Sequence, residues 1–232
     1  MPPFSAIAPP VRILALETSS RVGSVALFED GRIVASAVHT QPNRHAEYSL
    51  GLVESALSDA GWGKTSIDRV AVGIGPGSFT GIRVGMALAQ GIALGIDVPL
   101  VGVGSLRAMA RAVPDDDPRP RAALLDARME ELFLAVYGAA GAELAAPAIV
   151  ARDQVPALLE SAYPNAVPIG EGALGLCPGA LESERTNLPH AALTAVVGSR
   201  LAPEAAPPRP LYLRAVNAKP PILAPSPLSA RD

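Results

Sequence analysis

Residues 11–16 are apolar except for Arg12, as in a strand buried on both faces. Glu17-Thr18-Ser19-Ser20 then breaks the run with a polar turn. Residues 22–28 and 32–38 are two further strand-like runs, joined by Glu29-Asp30-Gly31. Asp-Gly between apolar runs marks a hairpin, so the chain opens with a three-stranded antiparallel meander. The period then lengthens. Ala46, Leu50, Val53, Leu57 and Ala60 recur at helical spacing and predict a helix buried along that stripe. Asn43 is its expected N-cap and Gly61 its end. Residues 68–73 read as a strand, 80–95 as a second helix and 99–103 as a short strand.

The run Pro114-Asp115-Asp116-Asp117-Pro118-Arg119-Pro120 cannot continue a helix, because proline removes a donor and fixes φ. Beyond it the pattern restarts. Residues 122–126, 131–138 and 144–150 read as extended, and 152–161 and 191–201 as helices. The second half is a reduced copy of the first. The expected layout is an irregular extension over 1–10, a first lobe over 11–113 and a linker over 114–120. A smaller second lobe over 121–215 and an irregular tail over 216–232 complete it. Proline marks both flanks: four of the 24 lie in residues 1–10 and eight between Pro203 and Pro227.

Composition narrows the class. With 49% hydrophobic residues and 18% charged ones, the 232-residue chain is not a disordered sequence. Aromatics are only 4%, so the core is built from Ala, Val, Leu and Ile. The single cysteine, Cys177, excludes an intramolecular disulfide and a Cys-based zinc site. A net charge of −3 excludes a strongly basic nucleic-acid binder acting alone, so any role with RNA is shared with a partner. No uninterrupted apolar run reaches the ~20 residues of a membrane span, and residues 1–12 lack a signal-peptide pattern. The expectation is a cytoplasmic protein without a membrane partner.

Residues 73–81, Gly-Ile-Gly-Pro-Gly-Ser-Phe-Thr-Gly, resemble a phosphate loop at first sight. They fail the Walker pattern, because Gly81 is followed by Ile82-Arg83. They fail the dinucleotide pattern, because Ser78 and Thr80 stand where a third Gly belongs. Ser78 is no nucleophile elbow, since Pro76 and Thr80 flank it in place of glycines. What remains is a strand-to-helix turn whose amides either hold an anion or simply pack closely. His39, His45 and His190 include no His-x-x-x-His pair, so no helix-borne metal site is expected. Residues 126–131 read as a polar hairpin turn, either a site loop or a solvated one. Glu17, read as a turn residue, predicts that Glu17→Ala moves stability by less than ~0.5 kcal/mol. In the second helix the only charged or amide residues between Thr80 and Leu94 are Arg83 and Gln90. A helix apolar or small nearly all round needs cover on its outer side, from this chain or from another.

Several stretches together resemble the bacterial TsaB family: ILALETSSRVGSVALF (13–28), the His45-x-Glu47 helix start, AVGIGPGSFTGIRVGMALAQGIALG (71–95), VGVGSL (101–106) and ALLDARMEELFLAVY (123–137). The resemblance spans residues 11–138, with Tyr212-Leu213-Arg214 echoing the family's end. It implies the actin-like ATPase (RNase H-like) fold, two related α/β lobes with mixed sheets flanked by helices. It also implies a non-catalytic scaffold of the complex that adds threonylcarbamoyl to N6 of the adenosine beside the tRNA anticodon. The implied partners are the catalytic paralogue TsaD and a TsaE-type ATPase, with a homodimer in their absence and tRNA only through the complex. The paralogue's two metal-binding histidines fall at Ser105 and Met109 here. No cofactor is implied for the chain by itself; ATP or ADP at the interface of the complex is admitted. The corresponding nucleotide or anion positions are Thr18, Ser19, Gly75, Gly77 and Ser78. Glu17 stands where the family usually has Asp. The expected partner face comprises Tyr48 and Leu52, off the first helix's stripe, with Arg83, Gly85, Met86, Ala89 and Gln90. The alternative is a small actin-like-fold kinase acting on a sugar or carboxylate.

Overall fold

Two mixed sheets organise the computed structural model, which describes residues 11–139, 141–183 and 187–214. The first contains β1 (Ile13–Glu17), β2 (Gly23–Glu29), β3 (Arg32–His39), β4 (Arg69–Gly73) and β5 (Leu100–Val103). Their order is β3-β2-β1-β4-β5; β1 to β3 form the antiparallel meander, β4 runs parallel to β1, and β5 parallel to β4. The second contains β6 (Arg121–Arg128), β7 (Glu131–Tyr137), β8 (Glu143–Ala151) and β9 (Val167–Ile169) in the order β8-β7-β6-β9. It is again a meander with a parallel strand added beside its first member. The duplication read from the pattern is therefore real, and the architecture is the RNase H-like fold of actin-like proteins.

Among the described residues five helices pack on these sheets: α1 (His45–Ala60), α2 (Phe79–Gly95), α3 (Ser105–Ala110), α4 (Val155–Ala162) and α5 (Ala191–Arg200). The helices α1 and α2 cover one face of the first sheet, where Val53, Leu57, Ile82 and Met86 meet Leu14, Leu16, Val25 and Val72. The opposite face is covered by α5, whose Ala191, Ala195 and Val197 lie on Ile13, Ala15, Ala26 and Ala71. This corrects the expected lobe boundary. Although α5 falls within 121–215, it completes the first lobe. Its small residues permit that seat: a Cβ on Gly198 would stand 2.7 Å from the Ala71 Cβ. No helix among the described residues is long and apolar enough to cross a membrane. The expected irregular ends, 1–10 and 216–232, lie outside the described residues.

The α1 stripe is rotated from its expected position. His45, Ser49, Val53, Ala56 and Leu57 face inward, while Ala46 and Leu50 are exposed. Gly23 on β2 is the reason: lacking a side chain, it leaves a recess that the His39 and His45 rings fill. Asn43 is not the N-cap. It adopts φ 62° one residue earlier, and the N-cap position is Arg44, without a side-chain cap. Gly61 ends the helix as expected, in the left-handed conformation at φ 66°.

Residues 206–214 form a strap between the sheets. The Gly102 amide donates to the Ala206 carbonyl at 2.9 Å, and the Leu211 amide to the Ile74 carbonyl at 2.8 Å. Leu213 then packs with Val22 against the second core, and Arg214 pairs with Glu131 on β7.

Candidate functional site

The turn after β1 and the glycine loop before α2 meet face to face. A Cβ on Gly77 would collide with the Ser19 carbonyl, one on Gly81 with the Thr18 carbonyl, and one on Gly85 with the Thr18 hydroxyl. The contacts are sealed by hydrogen bonds. Thr18 Oγ1 donates to the Gly81 carbonyl at 2.8 Å, and the Ser78 amide donates to the Ser19 carbonyl at 2.6 Å. The Gly75 amide donates to Ser105 Oγ at 3.2 Å, and the Gly81 amide to Ser78 Oγ at 3.2 Å. Thr18, Ser19, Gly75, Gly77 and Ser78 are thus brought together. Thr18 and Ser19 are buried, Ser78 is exposed, and the loop amides at 75, 78 and 81 already have partners within the chain. Arg21, in the turn after β1, pairs with Glu171, beyond β9 of the second sheet.

Glu17 is not a surface turn residue. It is the last residue of β1, fully buried, and its carboxylate lies on Gly73, where any side chain would collide with it. Oε1 accepts from the Ser19 amide at 2.9 Å; Oε2 accepts from Ser105 Oγ at 3.1 Å and from Thr194 Oγ1 at 3.3 Å. Ser19 Oγ lies 2.9 Å from Ser105 Oγ. One carboxylate therefore joins β1, the first residue of α3 and the middle of α5. Burial pushes the Glu17 carboxyl above its ordinary range, and the bonds from Ser19, Ser105 and Thr194 pull against that shift. Sequence periodicity missed this because the donors come from residues 88 and 177 positions away. Ser105, at one of the paralogue's metal positions, is spent on this network, and Met109, at the other, is fully buried in the second core. No group of three or more His, Cys, Asp or Glu among the described residues is placed to hold a metal ion.

A second buried polar pair anchors α1. His45 Nε2 lies 3.0 Å from the Ser20 carbonyl, so it must donate. Neutral His45 Nδ1 then accepts, across 3.0 Å, from His39 Nε2. His39 Nδ1 is left as a buried acceptor without a partner among the described residues. Burial holds both imidazoles below their ordinary range, and for His39 the charge of His45 adds to it. A depressed histidine contributes stability that is present above its unfolded value, near 6.5, and lost as pH falls through that region. We expect this pair to lower the melting temperature between pH 7 and pH 5, against an opposite contribution from buried Glu17. In His39→Gln, whose amide nitrogen can replace Nε2 as donor, the drop should be smaller. Equal slopes in thermal melts of the two proteins would contradict this.

The outer surface of α1 and α2 differs from their inner one. Gly85, Met86 and Ala89 are buried within the chain, Gly85 against Thr18 and the other two in the core, which removes them from the expected partner face. They alternate, at helical spacing, with the residues that do face out. Arg83 and Gln90 are exposed, Tyr48 is 37% exposed, and Leu52 is half-buried. The surface also carries Leu50, 52% exposed, and Leu94, 85% exposed. Gly51, Gly91 and Gly95 open onto empty space, with nothing within 4 Å of an added Cβ.

Comparison with known proteins places these features. The family described as TsaD, tRNA N6-adenosine threonylcarbamoyltransferase, matches residues 32–193. The tRNA threonylcarbamoyladenosine biosynthesis protein TsaB of Escherichia coli K12 is 41% identical over 128 residues, 55% of each chain. The chain spans about half the length of the curated TsaB relatives it matches. An uncharacterized protein of Mycobacterium tuberculosis H37Rv is 33% identical over 213 residues, covering 90% of this chain and 94% of that one. The solved structure of YeaZ from Pseudomonas aeruginosa superposes with a TM-score of 0.71 at 30% identity, over 88% of this chain and all of the other.

Proposed function

Because this chain belongs to the TsaB family, we propose that it is the non-catalytic scaffold of a tRNA-modifying complex. The complex adds threonylcarbamoyl to N6 of the adenosine adjacent to the anticodon, and this chain acts by binding TsaD. A TsaE-type ATPase is the third member, and tRNA is engaged only through the assembly, in the cytoplasm. A second copy of the chain occupies the same face when TsaD is absent.

The observation that carries this reading is the set of outward glycines. Glycine within a helix costs about 0.5–1 kcal/mol relative to alanine. Gly81 and Gly85 have a reason inside the chain, the close approach of Thr18. Gly51, Gly91 and Gly95 have none, and beside them stand Leu50 and Leu94 in water. A partner's helices approaching closely over α1 and α2 would use both features. The kinase alternative fits less well, because Thr18 and Ser19 are buried under the glycine loop. Any ATP or ADP belongs at the interface of the complex.

The test is reconstitution with the cognate TsaD, the TsaE-type ATPase, tRNA and the threonylcarbamoyl donor. Formation of the modified nucleoside should depend on this chain, and the chain alone should form none. Full activity without it, or ATP-dependent phosphorylation of a small molecule by the chain alone, would overturn the proposal.

A further inference from the structure

At the N-terminal end of the α2 outer face, one cation is held in a fixed orientation. The Arg83 guanidinium stacks on the Phe79 ring, 3.8 Å from its centroid. Its Nε donates to Tyr212 Oη at 3.2 Å. The Tyr212 ring in turn rests against Phe79, with centroids 4.9 Å apart and planes tilted by 42°. One face and the Nε edge of the guanidinium are thus occupied, and neither Nη has a hydrogen-bond partner among the described residues. Arg83 forms no ion pair among the described residues, as is also true of Arg32, Arg69, Arg121, Arg128 and Arg209, while nine other arginines do. It is also the only charged residue of α2.

Building this on the scaffold reading, we propose that Arg83 is a preorganised carboxylate receptor: it takes an Asp or Glu side chain of TsaD in a bidentate pair, with Phe79 and Tyr212 as its positioning residues. The planar fork of arginine matches a carboxylate in two parallel hydrogen bonds, and stacking removes the rotamer entropy such a pair would otherwise cost. The surroundings favour a protein carboxylate over an RNA phosphate. Phosphate backbones are tracked by several cations at once, whereas Arg83 is the only charged residue of α2, and Arg44 at the start of α1 stacks on Tyr48 and is already paired with Glu47. A lone arginine on an otherwise uncharged helix is the pattern of an interface anchor.

Tyr212 extends the consequence to the strap. The strap is fastened to the first sheet at Gly102 and Ile74 and to the second at Glu131, and Tyr212 lies between those anchors. The second lobe thereby sets the aim of a group on the partner face of the first.

The test measures binding of the full chain to purified cognate TsaD by calorimetry at two salt concentrations. Arg83→Gln should weaken binding about 30-fold or more, as loss of a buried charge-assisted pair does. Arg83→Lys keeps the charge and loses the fork, and should weaken it about tenfold. Tyr212→Phe removes only the Nε acceptor and should weaken it about threefold, with a reduced salt response. One acidic residue of TsaD, replaced by its amide, should cost nothing further in the Arg83→Gln background. Wild-type affinity in Arg83→Lys and Tyr212→Phe overturns the carboxylate receptor, as does binding of Arg83→Gln that no acidic TsaD variant matches. Loss of tRNA binding with TsaD binding intact points to phosphate and overturns it too. Gly91→Arg separates the levels: if it abolishes TsaD binding while the Arg83 variants bind normally, the scaffold reading stands and this proposal falls.

Discussion

Glu17→Ala is expected to lose about 3–5 kcal/mol of folding stability in chemical denaturation, against an ordinary turn effect of under ~0.5 kcal/mol. The substitution removes the acceptor of the Ser19 amide and leaves a void beside the other two donors, with only Ser19 Oγ for the Ser105 hydroxyl and the longer 3.4 Å bond to the His190 carbonyl for the Thr194 hydroxyl. Each abandoned buried donor costs about 1–3 kcal/mol, and the cavity adds to that. Glu17→Gln separates charge from shape. The folded carboxyl binds its proton more tightly than the unfolded one, because burial raises it. Its contribution to stability is therefore complete below the unfolded value, near 4.3–4.5, and is lost as pH rises through the folded one. Wild-type stability should carry this declining component with rising pH, and Glu17→Gln should lack it. A Glu17→Ala variant as stable as wild type would mean that water replaces the carboxylate, and the network would not be structural.

Gly91→Arg is expected to reduce affinity for TsaD by about 100-fold or more, since it inserts a bulky unpaired charge where helices would approach closely. The same change should leave the free chain as stable as before, or raise its stability by about 0.5–1 kcal/mol, because arginine is the better helix former. An added Cβ there meets nothing within 4 Å. Gly85→Arg, six residues earlier, should do the opposite and disrupt the fold, because Thr18 lies directly against that position. Denaturation curves and pull-down with TsaD check both. If Gly91→Arg binds normally, the face of α2 is not the interface.

Much of this architecture was legible in the chain. Asp30-Gly31, the apolar strand runs and the Pro/Asp run at 114–120 are local signals, and they marked the meander and its repetition correctly. The helix ending at Gly61 was equally local. What escaped was set by contacts far along the chain. The inward face of α1 depends on Gly23, which makes room for two imidazoles, so polar His45 and Ser49 are buried while Leu50 is exposed. Gly85, Met86 and Ala89 belong to the same apolar helix as Arg83 and Gln90, and its nearly uniform composition concealed which side met the sheet. Glu17 looks like any polar residue after a strand until its donors on α3 and α5 are known. For the candidate site, the residue types were visible and their orientation was not.

The seat of α5 bears on how the protein is made. Synthesis is vectorial, and the first sheet is complete in sequence once β5 leaves the ribosome. Its rear face, with Ile13, Ala15, Ala26 and Ala71, stays bare until residues 191–200 emerge. The Thr194 hydroxyl reaches Glu17 from 177 positions downstream, and the Ala191 amide reaches Ser24 from 167. A nascent chain that stops short of α5 therefore carries an uncovered apolar sheet and an unfinished carboxylate network. The strap that aims Arg83 is translated later still. The surface on α1 and α2 is therefore encoded before the segments that cover the rear of its sheet and that hold Tyr212 against Arg83.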